Sequence, residues 1–75
     1  EVRYMTSEDR IQIRISLEAA RVNAELLQKD AAKLIGISLK TLQNYENGKT
    51  KPNWDTLIKM SDIYNIPIGM LNCRY

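Results

Sequence analysis

Residues 28–52, QKDAAKLIGISLKTLQNYENGKTKP, decide the fold. They spell two short helices joined by a tight glycine turn, followed by a loop carrying lysines. Ala31 and Ala32 put small side chains on the first of these helices, so that a second can cross close to it. Gly36 stands where that helix must stop, because glycine accepts the left-handed backbone that ends a helix. Ser38 then offers a hydroxyl as the N-cap of the next helix, with Thr41 three residues into it. Asn47-Gly48 is a second stop signal.

Two helices meeting steeply through a short glycine-containing turn form a helix-turn-helix. The pattern Gln28-x-x-x-Ala32-x-x-x-Gly36-Ile37-Ser38-x-x-Thr41-Leu42-x-x-Tyr45-Glu46-x-Gly48 closely resembles the Cro and phage-repressor type, the xenobiotic-response-element (XRE) family. The matches keep their spacing without a gap, which is far more specific than a single glycine motif. At lower specificity the resemblance runs from about Ile13 to Leu71. It implies an all-α fold, a compact five-helix lambda-repressor-like domain, and sequence-specific binding of double-stranded DNA.

The recognition helix, about residues 38–47, can be read from its own periodicity. At about 100° per residue, Ser38, Thr41, Leu42 and Tyr45 share one arc and form the inward face. Lys40, Gln43, Asn44 and Asn47 share the opposite arc, with Leu39 at its edge. Solvated helix faces more often carry Glu and Lys pairs than amides. An amide holds both a donor and an acceptor and can pair with adenine, whereas lysine favours the acceptors of guanine. Base readout by Leu39, Lys40, Gln43 and Asn44 is therefore expected; a plain solvated face is the competing reading. The resemblance implies that the positions of Leu39, Lys40 and Asn44 reach base edges. Leu39 departs from the polar residue often found there, and would either meet a thymine methyl or lower discrimination at that base pair.

Charge agrees in sign. The chain carries +2 overall, but residues 28–54 hold five lysines against Asp30 and Glu46, a net +3. Positive charge gathered around the motif suits contact with phosphates. Lys49, Thr50 and Lys51 follow the recognition helix in a loop where backbone N–H groups and short side chains can approach a phosphate. Gln28 opens the first helix of the motif, where its amide and the helix N-terminus can hold another. Family members use both places in this way, and Asn47, closing the exposed arc, is grouped with these phosphate contacts.

The remainder builds a scaffold. Ser16 caps a helix from Leu17 to about Ala24, with Leu17 and Ala20 inward. Asn53 caps a later helix, with Asp55 in its first turn favouring the positive end of the dipole. Its apolar stripe is expected to be Trp54, Leu57, Ile58, Ser61 and Tyr64. Asn65-Ile66 ends it, and Pro67 suits the first turn of a final short helix. Ile66, Ile68 and Leu71 should close the core. Residues 1–12 read as a tail or linker, 13–72 as the domain, and 73–75 as a C-terminal tail. Ile11 to Ile15 alternates apolar and polar residues, which argues for an extended segment, with a helix from Ser7 as competitor. The chain starts at glutamate, as a trimmed chain or fragment would.

One departure from the family matters. The connection before Gln28 usually carries a glycine and then Ser or Thr; here those positions are Glu25 and Leu27. Both stopping signals are missing, and Ala, Glu and Leu favour helix, so residues 17–35 could be drawn as one helix on local propensity alone. That helix would throw Leu17 and Ala20 off the core, so packing is expected to impose the break. Arg21 and Glu46 match positions that family members pair. Glu46 lies at the border of the inward face, so a two-pronged arginine partner is expected for its carboxylate.

Seventy-five residues make one small domain. No apolar run approaches the ~20 residues needed to cross a bilayer, and no signal peptide is visible. The single cysteine, Cys73, allows no internal disulfide, as suits a cytoplasmic protein. There is no histidine, no glycine-rich phosphate loop and no metal-ligand spacing. Neither an enzyme nor a metal, cofactor or small-molecule ligand is expected. The leading expectation is a transcriptional regulator, a repressor of prokaryotic or phage type, on a palindromic operator, with weak homodimers pairing on DNA. The alternatives are the antitoxin of a toxin–antitoxin pair, and a protein-interaction module that has lost DNA binding.

Overall fold

A computed structural model describes residues 15–72. The extended segment expected over Ile11 to Ile15 is thus visible only at Ile15, and Ser7, where the competing helix would start, and Cys73 lie outside the described residues. Four α-helices follow one another: α1 (Leu17–Asn23), α2 (Gln28–Ile35), α3 (Leu39–Glu46) and α4 (Trp54–Tyr64). A short strand β1 (Ile15–Ser16) precedes them. A 3-10 turn (Ile68–Met70) and a second strand, β2 (Leu71–Asn72), follow. β1 and β2 pair in parallel, Ile15 with Leu71 and Ser16 with Asn72, which ties the two ends of the domain together. Apart from this short pairing, the fold is all-α.

Each helix start reflects a local choice. Ser16 Oγ accepts from the Ala19 N–H at 3.0 Å, Ser38 Oγ from Thr41 at 3.0 Å, and Asn53 Oδ1 from Thr56 at 2.9 Å. Each satisfies an N–H that the helix itself leaves unpaired. Only α2 starts without a side-chain cap, at Leu27. The ends are alike. A residue with positive φ closes every helix: Glu25 (φ 60°), Gly36 (φ 89°), Gly48 (φ 78°) and Asn65 (φ 55°). After each of them the next N–H reaches back to a carbonyl of the last turn, Leu26 to Arg21 (3.2 Å), Ile37 to Ala32 (3.0 Å), Lys49 to Asn44 (2.9 Å) and Ile66 to Ser61 (3.1 Å). This is the Schellman arrangement.

The break between α1 and α2 is present despite its missing glycine. Glu25 takes the left-handed conformation itself, against a steric cost of about 1 kcal/mol for a residue with a Cβ.

Leu17, Ala20, Ala31, Ala32, Ile35, Leu42, Met60, Tyr64, Ile66 and Leu71 form the core. Ala31 and Ala32 let α3 lie close on α2, and Leu42 plugs the crossing with no exposed surface. Burying one such leucine contributes about 1.5–3 kcal/mol.

Three expectations about the second half of the chain fail. The final helix is a single 3-10 turn, so there are four α-helices and not five among the described residues. Gly69 is a poor helix former, and the chain must straighten at Leu71 to pair with β1. The stripe on α4 is also turned, by roughly 60° at about 100° per residue. Met60 and Tyr64 are buried, whereas Trp54 is 63 % and Ile58 41 % exposed. The helix docks on its Leu57, Met60, Ser61 and Tyr64 side, and Trp54 sits in the first turn at the edge of that contact. Ile68 is half-buried, while Ile66 and Leu71 do close the core.

Candidate nucleic-acid interface

The surface of interest is α3 with the two segments flanking it. Leu42 anchors the inner side of α3, with Thr41 and Tyr45 half-buried beside it. Ser38 is exposed at the start, where its hydroxyl bonds the Thr41 hydroxyl at 2.8 Å as well as the Thr41 N–H. Leu39, Lys40 and Asn47 are exposed, and Gln43 and Asn44 are half-buried. The outward face of α3 thus carries amides, one ammonium group and one leucine, but two expectations are corrected. Ser38, as the N-cap at the helix start, is exposed rather than inward. Gln43 and Asn44 are half-buried like Thr41 and Tyr45, because α2 and the loop after α3 pack beside them. Lys49, Thr50 and Lys51 are exposed in the loop that leaves α3. Asn44 O accepts from both the Lys49 and Thr50 N–H groups, at 2.9 and 3.3 Å, so this loop is folded against the end of the helix.

Behind that face lies a polar cluster that binds three helices together. Arg21 Nε donates to Glu46 Oε2 at 2.7 Å and Arg21 Nη2 to Glu46 Oε1 at 3.3 Å. Arg21 Nη1 donates to the Leu26 carbonyl at 2.8 Å. One guanidinium thus holds α3 through Glu46 and the strained connection through Leu26, which is how the α1–α2 break is kept without glycine. The expected ion pair is present and shielded, the two side chains being 10 % and 2 % exposed. The hydrogen bond to Glu46 raises the Arg21 pKa further above its ordinary value, outweighing the opposing effect of burial.

Gln28 joins this cluster. Its Nε2 donates to Glu46 Oε1 at 2.9 Å, and its Oε1 accepts from Gln43 Nε2 at 3.4 Å. The side chain assigned to phosphate and one assigned to bases are thus in contact with each other, at the seam between α2 and α3. Periodicity within one helix could not show this, since Gln28 and Gln43 lie 15 residues apart.

Below the cluster, Tyr64 is 2 % exposed. Its hydroxyl has no hydrogen-bond partner among the described residues. Burial, with the negative charge of Glu46 and against the opposing charge of Arg21, pushes its pKa up to about 12. No group of three or more His, Cys, Asp or Glu side chains among the described residues could hold a metal ion. No helix among them is long and apolar enough to cross a membrane.

A family model described as helix-turn-helix matches residues 17–71. The chain belongs to that family, in its XRE branch. It is thereby a DNA-binding helix-turn-helix domain of the kind found in transcription regulation. Among curated proteins, the HTH-type transcriptional regulator ImmR of Bacillus subtilis (strain 168) is 42 % identical over 55 residues, covering 73 % of this chain. Multiprotein-bridging factor 1c of Arabidopsis thaliana is 34 % identical over 57 residues, covering 76 % of this chain. The helix-turn-helix domain spans 43 % and 38 % of the lengths of these two relatives. No solved structure matches the chain significantly.

Proposed function

We propose that this domain binds a specific double-stranded DNA site with α3 in the major groove. In this reading it serves a prokaryotic or phage transcriptional regulator that represses by occupying an operator. The observation that carries it is the contrast between the two sides of α3. One side is fixed by Leu42 and the Arg21–Glu46 pair, and the other offers Lys40, Gln43 and Asn44. A rigidly held helix with amide and ammonium groups facing out is what reading base edges requires. The name of ImmR, an HTH-type transcriptional regulator, supports the same reading.

Lys40 would take guanine acceptors, Asn44 an adenine, Gln43 a neighbouring edge, and Leu39 a thymine methyl. Gln28, Asn47, Lys49, Thr50 and Lys51 would hold phosphates and set the register. A domain that is monomeric or weakly dimeric in solution would pair on a palindromic operator, with the two recognition helices ~34 Å apart. We assign it to the cytoplasm and give it no catalytic, cofactor or small-molecule role.

Selection of bound duplexes from random-sequence DNA, with the full chain, tests this reading. Enrichment of one motif is expected; recovery of unenriched DNA overturns it. The name of the plant relative, a bridging factor, favours a second reading, a protein-interaction module, which that second result would support.

A further inference from the structure

Gln43 has a side chain that could read a base in either of two orientations, since its amide presents an oxygen on one side and an NH2 on the other. The surroundings decide between them. Glu46 carries two oxygens that only accept, and Arg21 is paired to both. The group of Gln28 that meets Glu46 Oε1, 2.9 Å away, must therefore be its NH2. That choice turns Gln28 Oε1 towards α3, where it can only accept. Gln43 must in turn present its own NH2 to Gln28, and does so at 3.4 Å. Oε1 of Gln43 makes no hydrogen bond among the described residues. The chain of donors and acceptors starts at an ion pair that cannot be reversed, because arginine stays protonated.

We infer that the Arg21–Glu46–Gln28 relay fixes the Gln43 amide with its oxygen, beside the one N–H that Gln28 does not use, left for the groove, so that α3 favours at that position a base with an exocyclic amine, adenine or cytosine. The major-groove edges of adenine and cytosine show an amino donor, whereas guanine and thymine show only acceptors and, for thymine, a methyl group. Gln28 is here a positioning residue, acting on specificity through Gln43. The inference rests on the proposed DNA reading and adds the orientation of one amide to it.

The test is random-sequence DNA selection with four forms of the full chain. The wild type should enrich a motif with one position restricted to adenine or cytosine by about tenfold over the other bases. Gln28→Leu removes the relay and frees the Gln43 amide to turn over; that position alone should relax to admit guanine and thymine. Its overall affinity falls on every sequence as well, which is why base preference and not affinity is read. Gln43→Ala should relax the same position, locating it. In the double variant Gln28→Leu/Gln43→Glu the side chain can only accept, so the restriction should return. A motif that Gln28→Leu leaves unchanged, or that the double variant does not restore, overturns the relay while leaving DNA binding intact. No enriched motif with the wild type overturns the DNA reading itself, and the relay with it.

Discussion

Arg21 on α1 and Glu46 at the end of α3 are joined by two hydrogen bonds, of 2.7 and 3.3 Å, across 25 residues of sequence. The pair bridges the scaffold and the helix assigned to DNA. Removing one charge leaves the other buried and unpaired, and that imbalance costs far more than a surface pair is worth. Glu46→Gln is expected to lower the unfolding free energy by about 3 kcal/mol. Urea denaturation of the variant beside the wild type measures this, and superimposable curves would show the pair to be idle.

Glu25 occupies a left-handed conformation, φ 60°, that glycine enters without steric cost. Its side chain is exposed. Glu25→Gly should therefore raise stability slightly, by up to about 0.5 kcal/mol once the greater entropy of glycine in the unfolded chain is set against the steric relief. A glycine variant no more stable than the wild type would mean that the Arg21–Leu26 bond, and not the backbone, limits this turn.

These two sites also mark what could be read from sequence. Helices α2 and α3 were legible because their signals are local: Gly36 and Gly48 stop them, and Ser38 caps the second. The same was true of the outward face of α3. At Glu25 no local signal exists, and the break followed only from the need to keep Leu17 and Ala20 in the core. The α4 stripe misled because apolar residues occupy more of its circumference than the domain can cover: periodicity alone put Trp54 and Ile58 on the stripe and left out Met60, which the docking of α4 buries. Contacts such as Gln28 to Glu46 depend on how α2 crosses α3, which no single-helix periodicity contains. The last helix was lost to pairing between β1 and β2, residues at opposite ends of the domain.

Tyr64 carries a buried hydroxyl with no partner among the described residues, a group that costs free energy to desolvate. Tyr64→Phe removes it and keeps the ring, so stability at neutral pH should rise by about 1 kcal/mol. The alkaline limb should change too. Burial raises the pKa from 10.0 to about 12, so below pH 10 both folded and unfolded chains keep the proton and the contribution is complete. As pH rises from 10 to about 12 the unfolded chain ionises first, and this contribution to stability is lost. The wild type should therefore lose more stability than Tyr64→Phe across that window. Parallel pH profiles for the two proteins would contradict the assignment.

Lys49 and Asn44 lie close together where α3 ends, yet they should respond to DNA in opposite ways. Lys49 is exposed in the loop, its backbone N–H bonded to the Asn44 carbonyl at 2.9 Å, and its ammonium is the group proposed to meet a phosphate. A phosphate contact carries no sequence information and releases counterions. Lys49→Ala should weaken binding to all duplexes alike and reduce the slope of log affinity against log salt by about one. Asn44 instead presents an amide on the outward face. Asn44→Ala should cost ~1–3 kcal/mol on the selected operator and almost nothing on random DNA, with the salt slope unchanged. Titrations of both variants on both DNAs at several salt concentrations separate the roles. Equal losses on the two DNAs for Asn44→Ala, or an unaltered slope for Lys49→Ala, would remove that residue from the role given to it.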